Sequence, residues 1–192
     1  MNIVINQKKF LPNKHCSLEL SLTLGSILIV RGENGIGKSS LSRWIKNHYS
    51  TDVTLIEQAP LNHFYDRKLI ELKKILIGYS SASLQRSQFE RLWNLFRLNL
   101  IENHKLKSLS GGENQSLKLA LGLSVENKIL ILDEPSQYLD ESRKHVLCEE
   151  LDQLKDKCFV VVIEHESSWL KNVESKSIKL QMRENILEAQ HG

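Results

Sequence analysis

The chain has 192 residues, 22.1 kDa, 41% apolar and 26% charged residues and a net charge of +3, which fits one ordinary domain with a real core and is too mild to argue for a nucleic-acid partner. No apolar run approaches the roughly 18 residues of a membrane span, and the opening MNIVINQKKF lacks a secretory core, so a cytosolic protein with no direct membrane insertion is expected. Cys16, Cys148 and Cys158 show no metal-type spacing and read as reduced thiols.

In chain order, Ile3 to Ile5 reads as a first strand with QKKF turning after it. Ser17 to Leu24 alternates, with Leu18, Leu20, Leu22 and Leu24 on one face, as a half-buried antiparallel strand does. Gly25-Ser26 turns it into Ile27 to Val30, a short apolar run of the buried parallel kind, and Lys38 opens a helix-compatible segment. Val53 to Glu57 is another short strand, ending at Gln58-Ala59-Pro60. Asp66 to Ile77 and Leu84 to Leu98 carry apolar residues at helical spacing, among them Phe89, Leu92, Trp93 and Phe96, and Ser80 to Ser83 offers capping side chains between them. Beyond them Glu113 to Leu123 is helix-compatible, Lys128 to Asp133 a buried strand, Glu141 to Leu154 a helix and Phe159 to Glu164 a strand; last strands follow near Ser177 to Leu187. Such alternation predicts an α/β domain over 1–192. It would hold a mostly parallel sheet, an antiparallel β part and a helical subdomain inserted at about 61–124.

The stretch Ile27 to Ser40 carries the chemistry. Gly32 through Gly37, Lys38 and Ser39 satisfy G-x-x-x-x-G-K-[ST], the phosphate loop of nucleoside triphosphatases. Glycines let the backbone wrap inward, so that N–H groups of Gly32, Glu33, Asn34, Gly35, Ile36, Gly37, Ser39 and Ser40 can face one anion at a helix N-terminus. Lys38 would reach the β- and γ-phosphates and the Ser39 hydroxyl would ligate Mg²⁺. Asp133 closes an apolar strand, where an acid holds Mg²⁺ through water, and Glu134 follows as a candidate general base. Gln58, Asp133-Glu134 and His165 all fall just past strand ends, where such sheets bind ligands. Ser110-Gly111-Gly112, opening a helix, reads as a second anion cradle, and one site does not need two.

The combination of GENGIGKS, LSGGE at Leu109 to Glu113 and ILILDEP resembles the ATP-binding cassette (ABC) ATPase family over nearly the whole chain. The resemblance implies ATP and Mg²⁺ as cofactors and a nucleotide capped across a dimer interface by Ser110, Gly111, Gly112 and Glu113 of a partner. It assigns Gln58 a Mg²⁺ and water contact, Tyr138-Leu139-Asp140 the D-loop and His165 the switch histidine. Catalytic roles fall to Glu134, His165 and Lys38, and metal contacts to Ser39, Gln58 and Asp133. Phe10 stands either at the adenine-stacking position or in the core. The chain resembles a minimal cassette: a β-hairpin usual in the family is replaced by NHYSTD, and no room is left for a C-terminal regulatory domain. Such cassettes serve as ATPase subunits of bacterial transporters, working as a homodimer or paired cassette beside a multi-span membrane subunit, peripheral on the cytoplasmic face of the inner membrane. DEPSQYLD and the EHE triplet are also similar to soluble ABC ATPases acting on a protein or ribonucleoprotein complex. In the transporter case the docking surface for the membrane subunit would run from Gln58 to about Arg97. Leu61, Phe64 and Tyr65 would form either its apolar patch or part of the subdomain core.

Overall fold

A computed structural model describes residues 1–11, 14–49, 51–57, 66–78, 85–170, 173–183 and 186–191. Gln58, the stretch from Leu61 to Tyr65 and the capping run Ser80 to Ser83 lie outside them. Phe10 stands in a described strand, but its side chain is not described.

Among the described residues eight strands form one sheet: β1 (Asn2–Leu11), β2 (Lys14–Ser21), β3 (Ile27–Arg31), β4 (Val53–Ile56), β5 (Ile129–Asp133), β6 (Phe159–Ile163), β7 (Ser175–Arg183) and β8 (Ile186–His191). Their order is β1-β2-β8-β7-β3-β6-β5-β4. The run β7-β3-β6-β5-β4 is parallel throughout, with Ile27 opposite Val160 and Ile129 opposite both Val53 and Phe159. Two antiparallel hairpins, β1–β2 and β7–β8, extend it, joined where β2 runs parallel to β8. The expected α/β architecture, parallel with an antiparallel part, is the one observed.

Five α-helices lie among the described residues: α1 (Lys38–His48), α2 (Leu69–Gly78), α3 (Arg86–Leu95), α4 (Gly111–Gly122) and α5 (Glu141–Leu154). The central strands are buried on both faces, so alternate residues feed two cores. Leu28, Val30, Ile129, Ile131, Val161 and Ile163 meet Leu41 and Ile45 of α1 on one face. Ile27, Ile29, Leu130, Leu132, Val160 and Val162 share the other with α2 to α5. Phe89, Leu92, Trp93 and Phe96 are fully buried there, each worth about 1.5–3 kcal/mol of removal from water. One apolar cluster therefore runs from the helical block into the sheet. A charged link accompanies it: Glu150 of α5, buried, accepts from both terminal nitrogens of Arg91 on α3. None of the helices among the described residues is long and apolar enough to cross a membrane.

Several boundaries differ from the sequence reading. QKKF does not turn: β1 continues to Leu11, pairing with β2 across a register shift between Gln7 and Leu11. As an edge strand it tolerates the polar run that argued against a strand. Leu24 is exposed because β2 ends at Ser21, before the alternation does. Helix α2 starts at Leu69 rather than Asp66, since Lys68 is used in a bridge with Lys105. Helix α3 ends at Leu95, and Arg97 turns left-handed (φ 60°) before a short 3₁₀ turn at Leu98–Ile101.

Candidate active site

The loop between β3 and α1 has the geometry an anion cradle needs. Gly35 and Gly37 adopt φ of 75° and 120°, where a side chain would be strained. Gly37 is the N-cap of α1 and brings no side-chain cap, so nothing of the chain's own is hydrogen-bonded onto that helix end from the capping position. Gly32 is needed for a different reason: a Cβ there would stand 3.1 Å from the Leu180 carbonyl oxygen. Lys38, buried at the first helical position, bends over the loop and donates to the carbonyl oxygens of Gly32 (2.8 Å) and Glu33 (3.0 Å).

Strand ends on either side deliver the remaining groups. Lys38 Nζ lies 3.3 Å from His165 Nε2, just past β6, which makes that nitrogen the acceptor. Glu134 Oε1 is 3.6 Å from the same nitrogen. Ladder pairing explains the convergence, because β3, β6 and β5 are neighbours in register and all end at this edge. Glu134 has φ 50°, a left-handed conformation costing a non-glycine residue about 1–3 kcal/mol, and its N–H donates to the Ile163 carbonyl (2.8 Å). Asp133 is buried at the end of β5, and burial holds its carboxyl above the usual range, opposed by a hydrogen bond from the Ser39 hydroxyl. Glu57 and Arg43 stand beside it, paired at 2.7 Å.

A hydroxyl and a carboxylate facing a phosphate loop make a hard oxygen donor set. It suits Mg²⁺, which is ordinarily held by one or two carboxylates with the phosphates and water supplying the rest. Among the described residues no group of three His, Cys, Asp or Glu side chains forms a closed metal cage.

The Ser110–Gly112 turn is built differently. Ser110 caps α4 and Glu113 returns the contact: its Oε2 accepts from Ser110 N (2.7 Å) and Oγ (2.9 Å), while Glu113 N donates to Ser110 Oγ (3.3 Å). Neither Gly111 nor Gly112 has positive φ. They are required by close approach, since a Cβ on Gly112 would stand 2.6 Å from the Tyr138 carbonyl oxygen and one on Gly111 3.1 Å from its ring. Tyr138 is largely exposed and also left-handed, at φ 64°. Asp140 caps α5, accepting from Arg143 N (2.8 Å), and that bond leads in holding its carboxyl below the usual range.

Lys38, Ser39, Asp133, Glu134 and His165 thus gather around one loop, while Ser110 to Glu113 and Asp140 are engaged in caps of their own helices. Two residues here escaped the sequence reading. Glu164 is 6% exposed and accepts from Ser136 Oγ (2.8 Å), Ser136 N (3.3 Å) and His165 N (3.2 Å). Gln115, buried on α4, donates to the Pro135 carbonyl (3.1 Å). An acid closing an apolar strand was the signal at Asp133, and Glu164 carries the same one.

Comparison with known proteins bears on this arrangement. A family model described as ABC transporter matches residues 16–137, from β2 through the phosphate loop and α4 to the turn after Glu134. A putative ABC transporter ATP-binding protein of Treponema denticola is 24% identical over 185 residues, covering 80% of this chain and 37% of that protein. The zinc import ATP-binding protein ZnuC of Buchnera aphidicola is 29% identical over 182 residues, covering 88% of this chain and 73% of ZnuC. The chain thus spans well under half the length of the former and most of the latter. A solved ATP-binding subunit of an ABC transporter superposes with a TM-score of 0.71 at 19% identity, over 92% of this chain and 82% of the other, a likeness of fold. The matched span holds the cradle, Ser39, Asp133 and the Ser-Gly-Gly turn, and by that match the chain belongs to the ABC transporter family of ATP-binding proteins.

Proposed function

We propose that the chain is one ABC nucleotide-binding domain over 1–192, with its helical subdomain at about 61–124, that binds and hydrolyses ATP to drive a membrane transporter. The observation that carries the reading is the convergence of Lys38, Glu134 and His165 on a glycine cradle beside Ser39 and Asp133. Gly32 to Ser40 supply the N–H groups for the phosphates. Lys38, which now donates to two loop carbonyls, exchanges them for phosphate oxygens. Glu134 accepts a proton from the attacking water, and His165, 3.6 Å from the Glu134 carboxylate, contacts the terminal phosphate. Ser39 and Asp133 would hold Mg²⁺, with Gln58, and the ion when bound neutralises charge on the phosphates. Phe10 and Asp140 complete the nucleotide contacts.

Ser110 to Glu113 of a second copy would close each site, so the working form is a homodimer or paired cassette. Support comes from what each turn meets within one chain: Gly32 lies against Ile36 and Leu180, whereas Gly111 and Gly112 pack on Tyr138. A multi-span membrane subunit would dock on the surface between Gln58 and Arg97, placing the domain peripherally on the cytoplasmic face of the inner membrane.

Glu134→Gln tests the reading. It keeps the shape and loses the base, so ATP still binds, turnover falls at least 100-fold and an ATP-dependent dimer accumulates on size exclusion. Parental turnover in this variant would remove Glu134 from the chemistry. Monomer at saturating ATP would remove the shared site.

A further inference from the structure

Burying a carboxylate at the end of an apolar strand is costly unless its oxygens are fully engaged, and Glu164 engages both. Oε2 takes the hydroxyl and main-chain N–H of Ser136, and Oε1 takes the main-chain N–H of His165. The donors come from two residues in different loops, Ser136 in the one leaving β5 and His165 in the one leaving β6. Between them sits Glu134, held left-handed at φ 50°. Its own N–H is fixed to Ile163 on one side, and two residues later Ser136 is fixed to Glu164 on the other. A strained conformation persists only where its surroundings over-determine it, and here both anchors are consecutive residues of the β6 end. Pro135, between them, has its carbonyl held by Gln115 of α4.

We propose that Glu164 is a positioning residue for the hydrolytic step: its carboxylate locks the backbone of the Glu134 turn and of His165 in one arrangement. It acts through these two and does not touch nucleotide. The inference rests on the proposed ATPase reading and adds a residue to it.

The test compares Glu164→Gln, Glu164→Ala, Ser136→Ala and Glu166→Gln, measuring kcat and KM for Mg-ATP, the Kd of a fluorescent ATP analogue and Tm. Glu164→Ala loses all three acceptor contacts and kcat falls at least tenfold, with KM and Kd within threefold of the parent. Glu164→Gln keeps the volume and one acceptor oxygen, so it restores part of that loss. It also carries the test should the alanine variant not fold. Ser136→Ala retains the main-chain contact and loses less than Glu164→Ala. Glu166→Gln removes the same charge from an exposed residue next to His165 and leaves kcat within twofold.

Unchanged kcat in folded Glu164→Ala and Glu164→Gln overturns the role. So does a loss matched by an equal loss of affinity, or one shared equally by Glu166→Gln, since these report general damage or bulk charge. A parent chain without ATP turnover removes the function itself and this role with it; an active parent with active Glu164 variants removes the role alone.

Discussion

Two glycine turns open helices in this chain, and they solve opposite problems. Before α1 the glycines bend the backbone into left-handed conformations and the helix end carries no side-chain cap. At the start of α4 the glycines have ordinary φ, make room for Tyr138, and the helix end is capped by Ser110 and covered by the Glu113 carboxylate. The first turn brings no side-chain cap of its own to its helix end. The second already carries its own, and any phosphate arriving there must displace it. In sequence the two look alike, because a glycine needed for its backbone freedom and one needed for its missing side chain are the same letter.

The strongest way to break this comparison is Lys38→Ala. If the cradle is the anion site, losing its point charge weakens Mg-ATP binding about 100-fold and abolishes turnover, as read by equilibrium binding. Parental affinity would mean the first turn is no more an anion site than the second. Gly112→Ala sharpens the other half. Its Cβ would meet a main-chain oxygen that cannot swing away, so overpacking costs about 1–3 kcal/mol and Tm falls on the order of 5 °C. Adding Tyr138→Ala leaves that loss in place, because the clash is with the carbonyl. In Gly111→Ala, where the ring is the obstacle, Tyr138→Ala relieves the clash.

A smaller effect is expected from Glu113→Ala. The reciprocal cap is lost, at about 0.5–1 kcal/mol by thermal melting. In the Glu134→Gln background the ATP-dependent dimer should then form at several-fold lower ATP, the covering carboxylate being gone. The smallest prediction concerns the neighbouring cap at Asp140, whose carboxyl is held below the ordinary value of 3.8. An acid whose folded pKa is lowered stabilises the fold above its unfolded value, and that gain is lost as pH falls through the folded one. Asp140→Asn should therefore lower stability at pH 7 by a few tenths of a kcal/mol, given its solvent exposure, and differ less from the parent toward pH 3.

What the sequence made legible follows from where local pattern and tertiary structure agree. β3, β5 and β6 are apolar runs bounded by glycine or acid, and α5 begins and ends where its pattern does. The cradle and the acids after β5 stand at strand ends because a parallel sheet puts them there. Long-range pairing was not legible. The polar run in β1 is a strand only because β2 pairs with it, and Lys68 leaves α2 only because Lys105 is opposite. Nor could spacing show that Glu164 and Ser136, far apart in the chain, share a hydrogen bond. Nor could spacing show that Gly111 and Gly112, read as part of a second anion cradle, also accommodate Tyr138.

The strand order has a bearing on how the molecule is made. His15 pairs with Ile186 and Ile27 with Ser175, so β2 and β3 each find one neighbour only when the far end of the chain has been synthesised. At about 5–20 residues per second of translation, the β1–β2 hairpin waits on the order of ten seconds or more with one edge unpaired. Exposed strand edges recruit whatever strand is near. An edge left unpaired during synthesis is the vulnerability this topology builds in. Moving β7 and β8 ahead of β1 by circular permutation would supply those neighbours early and leave β3 waiting only for β6.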